Sequence, residues 1–413
     1  MPSTIAILGT FDTKGAEHAF LAEALKGAGF TTLLIDVGSL DEPAITPDLS
    51  RREVLAALDD PATDIPAVLA RRDRGECVAL MGRAAASLVT TLASEKRIQG
   101  IISLGGGGGT AIATAAMRAL PLGFPKVMVS TLASGQTAHY LGTSDITMMP
   151  AIVDVSGINR VSRLIFSNAA GAIAGMVTAA TQRLNTPAPV SEKPLLVASM
   201  FGNTTTCVTE VKRRLEAAGF EVIVFAATGS GGRAMEALID TGLIAGVLDI
   251  TTTEWADELV GGTLTAGPDR LNATARAQIP AIVVPGCLDM VNFGERPTIP
   301  EKFAGRNFYQ HNAQVTLMRT TPAECTELGR ILAEKINVYS APVTVLLPFG
   351  GISVISAPGQ PFYDPAADEA LFKSLKSNLR TDIPVIESEA NINDAAFAEL
   401  CAQTLSDLLP PPV

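Results

Sequence analysis

The stretch from residue 4 to residue 38, TIAILGTFDTKGAEHAFLAEALKGAGFTTLLIDVG, decides the fold class of this chain. It begins with an apolar run at 4–8 and ends with another at 31–37, and residues 15–29 between them have helical spacing. Apolar strands that do not alternate with polar residues are typical of a parallel sheet buried on both faces, and a helix is the usual crossover between them. The stretch therefore predicts a βαβ unit in an α/β protein.

The same pattern continues along the first half of the chain. Apolar runs at 100–104 and 126–130 predict two more buried strands, and the alanine-rich residues 110–120 have the spacing of a helix. All four strands are expected in one parallel sheet, because βαβ crossovers place helices on both faces of such a sheet.

The second half of the chain repeats this order. Residues 194–229, PLLVASMFGNTTTCVTEVKRRLEAAGFEVIVFAATG, run strand, polar glycine turn, helix, AGF and strand, as residues 4–38 do. Later runs at 245–250 and 279–286 correspond to the strands at 100–104 and 126–130. The expected fold is α/β, with two similar Rossmann-like lobes of parallel sheets covered by helices and a cleft between them.

The length and composition fit two globular lobes. The chain has 413 residues, of which 47% are hydrophobic and 18% charged, so apolar side chains suffice for large cores. The proline-containing stretch 183–194 is the expected linker. We therefore expect an N-terminal domain at 1–188 and a C-terminal domain at 189–413.

The charge balance and the cysteines disfavour several classes of protein. With 31 Lys and Arg against 42 Asp and Glu, the formal net charge of −11 disfavours partners such as nucleic acid or an anionic membrane. The five cysteines include no CxxC pair, so neither a disulfide framework nor a structural zinc site is expected. The start lacks a signal-peptide pattern, and no apolar run is judged to reach the roughly 20 residues that span a membrane. A cytoplasmic protein is therefore expected.

Five consecutive glycines stand between a predicted strand and a predicted helix in IISLGGGGGTAIATAAM, residues 101–117. Bare backbone N–H groups can approach an anion closely, and a helix N-terminus favours negative charge. Ligands of open parallel sheets bind at the carboxyl ends of the strands, where these glycines lie. The expected nucleotide contacts at that edge are Thr10, Asp12, Thr13, Lys14, Asp36, Gly105, Gly106, Gly107, Gly108, Gly109, Thr110 and Ser130.

This glycine run is not a known phosphate-binding motif. Residues 105–110 do not form G-x-G-x-x-G, because Thr110 holds the last position, and the chain contains no G-x-x-x-x-G-K-[ST]. The alternative interpretation is a flexible, tightly packed strand-to-helix turn. For Lys14 the alternative is a solvated side chain at a helix start.

Four aspartates are candidates for binding Mg²⁺, namely Asp12, Asp36, Asp145 and Asp154, and Asp36 is also a candidate for a ribose hydroxyl. Magnesium usually takes only one or two carboxylates, with phosphate oxygens and water as its other ligands. We expect Asp12 and Asp145 to be the metal ligands. For each aspartate the alternative is a cap of a helix or a turn.

The second half is rich in polar residues near its predicted strand ends. Glu254, Asp289, His311 and Arg319 are the residues expected to act on a substrate. Histidine can serve as a general acid or base near neutral pH, and arginine can clamp a carboxylate or a phosphate. The alternatives are a structural histidine and a salt bridge between the lobes. Cys287 lacks a visible activating partner, so we expect a buried, unreactive thiol.

Eight sequence blocks resemble the ATP-binding domain family of the tomato mosaic virus resistance protein. In chain order they are GTFDTKG, SLGGGGGT, STLASG, TTTEWADELVGG, AGPDRL, PGCLDMVNFG, HNAQVTLMRTT and GQPFYDPAAD. The resemblance covers nearly the whole chain and implies a two-lobed α/β protein that binds ATP with Mg²⁺ and forms a homodimer. It also implies that the glycine block and GTFDTKG contact the nucleotide. The family supplies no established reaction and no firm catalytic residues.

Three functions fit these features. The first is a cytoplasmic nucleotide-binding protein whose ATP phosphates are held by residues 105–110. The second is an enzyme that acts on a small carboxylated or phosphorylated metabolite in the cleft, with ATP as cosubstrate or regulator. The third is an interaction scaffold that bound nucleotide stabilises. The polar second half argues against the scaffold, and whether the protein is an enzyme stays open.

Overall fold

The computed structural model describes residues 2–39, 41–58, 60–185 and 193–410. The chain divides into two compact units, unit 1 at Met1–Ala188 and unit 2 at Pro189–Val413. Most of the predicted linker lies outside the described residues. Each unit contains a parallel sheet flanked by helices, which confirms the α/β fold class with two Rossmann-like lobes.

Unit 1 is built on a five-stranded parallel sheet with the order β2-β1-β3-β4-β5. Its strands are β1 (Thr4–Gly9), β2 (Thr31–Asp36), β3 (Gly100–Gly105), β4 (Lys126–Ser130) and β5 (Thr147–Pro150). The first four lie within one residue of their predicted bounds. Short, continuously apolar β-branched runs are a strong local signal for buried strands, which explains this agreement.

Within the described residues of unit 1, seven helices connect and cover these strands. They are α1 (Phe11–Gly27), α2 (Arg51–Ala56), α3 (Ile65–Arg71), α4 (Arg74–Ser94), α5 (Gly107–Arg118), α6 (Ala138–Leu141) and α7 (Arg160–Asn185). Both α1 and α5 begin earlier than predicted, because the polar and glycine residues after β1 and β3 already form the first helical turn. The two segments expected to contact the nucleotide, GTFDTKG at 9–15 and the glycine run at 105–109, therefore each lead directly from a strand into a helix N-terminus.

The core of unit 1 has two halves, one on each face of the sheet. Ile5 and Ile7 of β1 pack in one half with residues of α1 and α7. Ala6 and Leu8 pack in the other half with residues of α4 and α5. Successive residues of a strand point to opposite faces, so helices on both faces require apolar residues at every position.

Two helices of unit 1, α4 and α7, are long and apolar enough to cross a membrane by length and composition. The expectation that no segment reaches this length was therefore wrong. Both helices contribute buried residues to the core of unit 1, among them Met81 and Val89 of α4 and Phe166 and Ile173 of α7. Because core helices pass the same test, these two are weak evidence for a membrane span.

Unit 2 contains a six-stranded parallel sheet, β14-β13-β9-β8-β6-β7, and a three-stranded antiparallel sheet, β10-β12-β11. The strands are β6 (Leu195–Met200), β7 (Glu221–Ala226), β8 (Ile244–Thr251), β9 (Ala281–Gly286), β10 (Met290–Phe293), β11 (Phe308–Asn312), β12 (Val315–Arg319), β13 (Val343–Pro348) and β14 (Val385–Ser388). The antiparallel sheet was not predicted.

The helices of unit 2 cover both faces of its large sheet. They are α8 (Thr205–Ala217), α9 (Ser230–Ile239), α10 (Glu254–Val260), α11 (Asn272–Ala277), α12 (Pro322–Asn337), α13 (Pro365–Asn378) and α14 (Ala395–Leu408). From β7 the strand order is β7-β6-β8-β9-β13-β14, which is the order of unit 1 with one strand added. The internal repeat inferred from the sequence is thereby confirmed.

Candidate functional site

The loops after β1 and β3 enclose a cavity of about 330 Å³ at the carboxyl edge of the unit 1 sheet. Strands β1 and β3 are neighbours, while β2 lies on the other side of β1, so the strand order reverses here. Ligands of open α/β sheets bind at such a reversal. The lining includes the predicted contacts Thr10, Asp12, Thr13, Lys14 and all five glycines at 105–109, together with Ser39, Arg74, Val78, Ile112 and Asp154.

The glycine loop runs directly into the N-terminus of α5. Gly106 precedes the helix, and no side chain caps its first turn. The first N–H groups of a helix have no helical carbonyl partner, so those of Gly107, Gly108 and Gly109 remain available as donors. The helix dipole adds partial positive charge at this point, which favours a bound anion.

Only one glycine of the run is required by packing. A Cβ at Gly105 would lie 3.1 Å from the Cα atom of Gly109. At Gly108 the nearest atom to such a Cβ would be 3.5 Å away, and at Gly106, Gly107 and Gly109 it would be farther. None of the five has a positive φ. A tightly packed turn therefore explains Gly105, whereas the other four glycines keep the cavity open.

The first turn of α1 is irregular at Lys14, whose φ of −131° and ψ of 29° are not helical. The carbonyl oxygen of Lys14 accepts a hydrogen bond from Nδ1 of His18 over 2.7 Å. His18 is buried, and burial lowers its pKa, which favours the neutral ring. The ring packs so closely on Gly9 that a Cβ there would lie 2.1 Å from Nε2. His18 thus shapes the turn that carries Lys14.

Two cations and two carboxylates line the cavity, Lys14 and Arg74 against Asp12 and Asp154. The guanidinium of Arg74 lies beside the glycine loop, since its Nη2 would be 3.7 Å from a Cβ at Gly108. These cations can offset the charge of a phosphate, and a carboxylate beside them can hold a phosphate-bound magnesium ion.

Three of the predicted nucleotide contacts face the protein interior and do not line this cavity. Oδ1 of Asp36 accepts hydrogen bonds from the amides of Phe11, over 3.1 Å, and Gly38, over 2.9 Å. These hydrogen bonds connect the end of β2 to the start of α1. Burial raises the pKa of the Asp36 carboxyl. The hydroxyl oxygens of Thr110 and Ser130 lie 2.7 Å apart, and both residues are buried. Asp36 and Thr110 therefore support the loops from behind, which corrects the expectation that they contact the ligand.

Asp145 lies at the opposite edge of the sheet from the glycine loop, so the prediction that it binds a metal beside Asp12 is wrong. It pairs with Nζ of Lys126 and accepts a hydrogen bond from the amide of Gly123 over 2.8 Å. Lys126 begins β4, whereas the glycine loop follows the end of the neighbouring β3. In the described part of the chain, no group of three or more His, Cys, Asp and Glu side chains could hold a metal ion.

Two polar residues that line the cavity, Ser39 and Arg74, were not predicted as contacts, and neither were the apolar Val78 and Ile112. Ser39 follows β2, so the strand-end rule that selected Asp36 would also have selected it. Arg74 begins α4 after the long connection from β2, and no local pattern marks it. Asp154, considered from sequence only as one of four magnesium candidates, follows β5 at the same edge of the sheet.

In unit 2, Glu254 belongs to a buried charge network centred on Arg270. Nε of Arg270 donates to Oε2 of Glu254 over 2.8 Å, and Nη1 donates to Oε1 of Glu236 over 2.9 Å. The same guanidinium pairs with Asp249. Oε1 of Glu254 accepts a hydrogen bond from the amide of Gly229 over 2.7 Å. Because both of its oxygens have protein partners, Glu254 positions segments of the chain.

The other three predicted catalytic residues lie in two different places in unit 2. Oδ2 of the buried Asp289 accepts a hydrogen bond from Oγ of Ser353 over 2.7 Å, and burial raises the pKa of Asp289. Arg319 interacts with Asp289 and pairs with a carboxylate of α13. His311 is exposed on β11. Among the described residues, no hydrogen bond or ion pair joins His311 or Glu254 to the other two, so a catalytic set of all four stays a prediction.

All five cysteines are buried free thiols. Burial raises the pKa of the Cys287 thiol well above its ordinary value. A thiol in this state has little of the thiolate form that reacts as a nucleophile. The expectation of an unreactive Cys287 is consistent with this environment.

Both halves of the chain match one protein family. Residues 3–182 match the N-terminal domain, and residues 193–409 the C-terminal domain, of the uncharacterised protein family UPF0261. A UPF0261 protein of Clostridium tetani is 48% identical over 410 residues, which cover 99% of this chain and 100% of that protein. One of Rhizobium meliloti is 47% identical and covers 98% of this chain and 99% of that protein.

A plant relative confirms the resemblance drawn from the sequence blocks. The ToMV resistance protein Tm-1(GCR237) of Solanum lycopersicum is 45% identical over 306 residues, which cover 73% of this chain and 40% of the tomato protein. Among solved structures, the glycosyltransferase SnogD of Streptomyces nogalater covers 99% of this chain and 100% of its own, with 11% identity and a TM-score of 0.20. A TM-score this low supports no conclusion about the function of this chain. On the sequence matches to both halves, the chain belongs to the UPF0261 family.

Proposed function

We propose that this protein binds ATP in unit 1, with the phosphates against the glycine loop. The proposal rests chiefly on the four glycines at 106–109, which neither packing nor backbone conformation requires. A Cβ on any of them would occupy space beside the N-terminus of α5, where an anion is most favoured. The cavity of about 330 Å³ has the size of a small-molecule site.

The polar side chains of the cavity have complementary roles in this proposal. Lys14 and Arg74 offset the negative charge of the phosphates, while Asp12 holds Mg²⁺ together with phosphate oxygens. The bound Mg²⁺ neutralises part of the phosphate charge. The hydroxyl oxygens of Thr10 and Thr13, which lie 2.9 Å apart, supply further donors at the start of α1.

Several expectations from the sequence stay predictions beside this proposal. They are the homodimer, the cytoplasmic location, and a small carboxylated or phosphorylated metabolite as substrate. Catalysis on such a metabolite by Glu254, Asp289, His311 and Arg319 stays a prediction, because among the described residues no hydrogen bond or ion pair joins Glu254 or His311 to Asp289 or Arg319. ATP binding is therefore the function proposed, without a reaction.

The direct test is calorimetric titration of the nucleotide-stripped protein with ATP, with and without Mg²⁺. We expect micromolar binding that Mg²⁺ strengthens and that Gly107→Val abolishes, because the new side chain would enter the cavity. Gly175→Val is the matched control, since Gly175 lies on the exposed part of α7 with no atom near its Cβ position. No binding at millimolar ATP, or equal binding by both variants, would contradict the proposal.

A further inference from the structure

Unit 1 has a second cavity, of about 280 Å³, next to the first. It lies at the carboxyl ends of β4 and β5, on the same edge of the sheet as the glycine loop. Asp154 lines both cavities. A group bound in the second cavity would therefore lie beside the phosphates of the proposed ATP site.

The lining of this second cavity has the chemistry of a site for hydroxyl groups. One wall is formed by Ser130 and by the exposed, hydroxyl-bearing residues Thr131 and Ser134, and the other is the segment 150–154. Among the described residues that line it, Asp154 is the one charged side chain. Without a lining cation the cavity does not suit a phosphate or a carboxylate. Hydroxyls and a carboxylate, in contrast, exchange hydrogen bonds with the hydroxyls of a sugar.

The hydroxyl wall and the glycine loop depend on the same turn of α5. The hydroxyl of Ser130 lies 2.7 Å from that of Thr110 and accepts a hydrogen bond from the amide of Leu132 over 3.0 Å. Thr110 lies in the first turn of α5, directly after the glycines. One helix start therefore supports both the phosphate cradle and the neighbouring cavity.

Ile152 forms part of the other wall in a strained conformation. Its φ is +65°, and the amide of Val153 donates to the carbonyl of Ala151 over 2.7 Å, which makes a γ-turn of the rare positive-φ type. A β-branched residue seldom adopts such a φ. Ile152 is 72% exposed, so burial in the core does not compensate the strain. Strain of this kind concentrates at binding sites, where it presents a side chain to a ligand.

We propose that the second cavity binds an uncharged, hydroxyl-bearing group such as a sugar ring. The hydroxyls of this group contact Asp154 and Ser134, and its apolar face packs against Ile152. This inference rests on the proposed ATP site, which it extends. Two sources share the chemistry: the ribose of the bound nucleotide itself, or a separate polyol held beside the phosphates.

The test compares ATP with tripolyphosphate, which carries the phosphates without the ribose. Thr131→Val and Ser134→Ala each remove one exposed hydroxyl from the wall, and Thr178→Val on the exposed part of α7 is the matched control. Titration calorimetry on the full chain measures the Kd of each probe with Mg²⁺. If ribose occupies the cavity, both wall variants weaken ATP binding about threefold to tenfold and leave tripolyphosphate binding unchanged.

If a separate polyol is the ligand, the wall variants leave ATP binding unchanged. D-ribose then binds the wild type saturated with Mg-ATP and binds the wall variants more weakly. The inference is overturned if the wall variants differ from Thr178→Val in neither ATP binding nor D-ribose binding. If neither ATP nor tripolyphosphate binds the wild type, the ATP proposal fails, and titration of the protein alone with D-ribose decides the inference.

Discussion

Nδ1 of His18 donates a hydrogen bond to the carbonyl oxygen of Lys14 over 2.7 Å, within a turn of α1 that departs from helical geometry at Lys14. The donor is a buried ring that cannot move away, because it is packed on Gly9 and lies 5.3 Å from the ring of Phe11. A side chain outside the cavity thereby determines the path of the backbone that carries Lys14 into it. We therefore expect ATP binding at the proposed site to depend on this contact.

His18→Phe should weaken ATP binding about tenfold, because phenylalanine keeps the aromatic volume but leaves the carbonyl of Lys14 without its donor. His18→Gln retains a donor of similar reach and is the matched control, which should bind ATP better than the phenylalanine variant. Titration calorimetry measures both affinities. Unchanged binding by His18→Phe would show that this hydrogen bond does not shape the site.

Gly107→Ala should make the protein more stable and its ATP binding weaker. Alanine in place of a helical glycine adds about 0.5–1 kcal/mol to the free energy of unfolding, and a Cβ at Gly107 would have no atom nearer than 3.9 Å. Gly105→Ala should instead lower the stability, since its Cβ would lie 3.1 Å from a backbone atom. Urea denaturation measures both changes. A loss of stability in Gly107→Ala would show that close packing, and not space for a ligand, requires glycine at this position.

Arg270→Met should lower the free energy of unfolding by about 3 kcal/mol or more. The substitution leaves the carboxylates of Glu236, Asp249 and Glu254 together in the interior without their countercharge. Arg276→Met is the control, because its ion pair is largely exposed and its loss should cost less than about 1 kcal/mol. Equal losses in urea denaturation would contradict the assigned role of Arg270.

Asp257 should make the stability of the protein fall as the pH rises from about 4 to about 7. Its oxygens accept hydrogen bonds from the amide and the side chain of Asn292, over 2.9 Å and 2.6 Å, yet burial raises its pKa from 3.8 to about 7. In that range the folded state binds the proton more tightly than the unfolded state does. The carboxyl group therefore stabilises the fold fully below about pH 4, and this contribution is lost as the pH rises through 7.

Asp257→Asn should remove this contribution, which reaches at most about 1.4 kcal/mol per pH unit. Urea denaturation of wild type and variant at several pH values between 4 and 7 measures it as the difference between their slopes. Other titrating groups affect both proteins alike and cancel in that difference. Parallel slopes would mean that Asp257 is ionised in the folded protein over the whole range.

The strands and the repeat were predictable because their signal is local. The runs at 4–8 and 195–200 are apolar at all positions except Thr4 and Ser199, as is typical of strands covered on both faces, and each is followed by a turn and a helix. The glycine run is likewise recognisable from the sequence alone, since regular structure rarely contains five consecutive glycines. The antiparallel sheet of unit 2 was missed, because β11 carries mainly polar residues that give no apolar run.

The sequence by itself determined the fold class, the internal repeat, the family and the position of the glycine loop, because each follows from residues adjacent along the chain. The tertiary structure decided which side chains share the cavity. It brings in Arg74 from α4, turns Asp36 and Thr110 toward the interior, and places Asp145 at the far edge of the sheet. A side chain's destination depends on strand order and on packing between distant segments, and no local pattern encodes either.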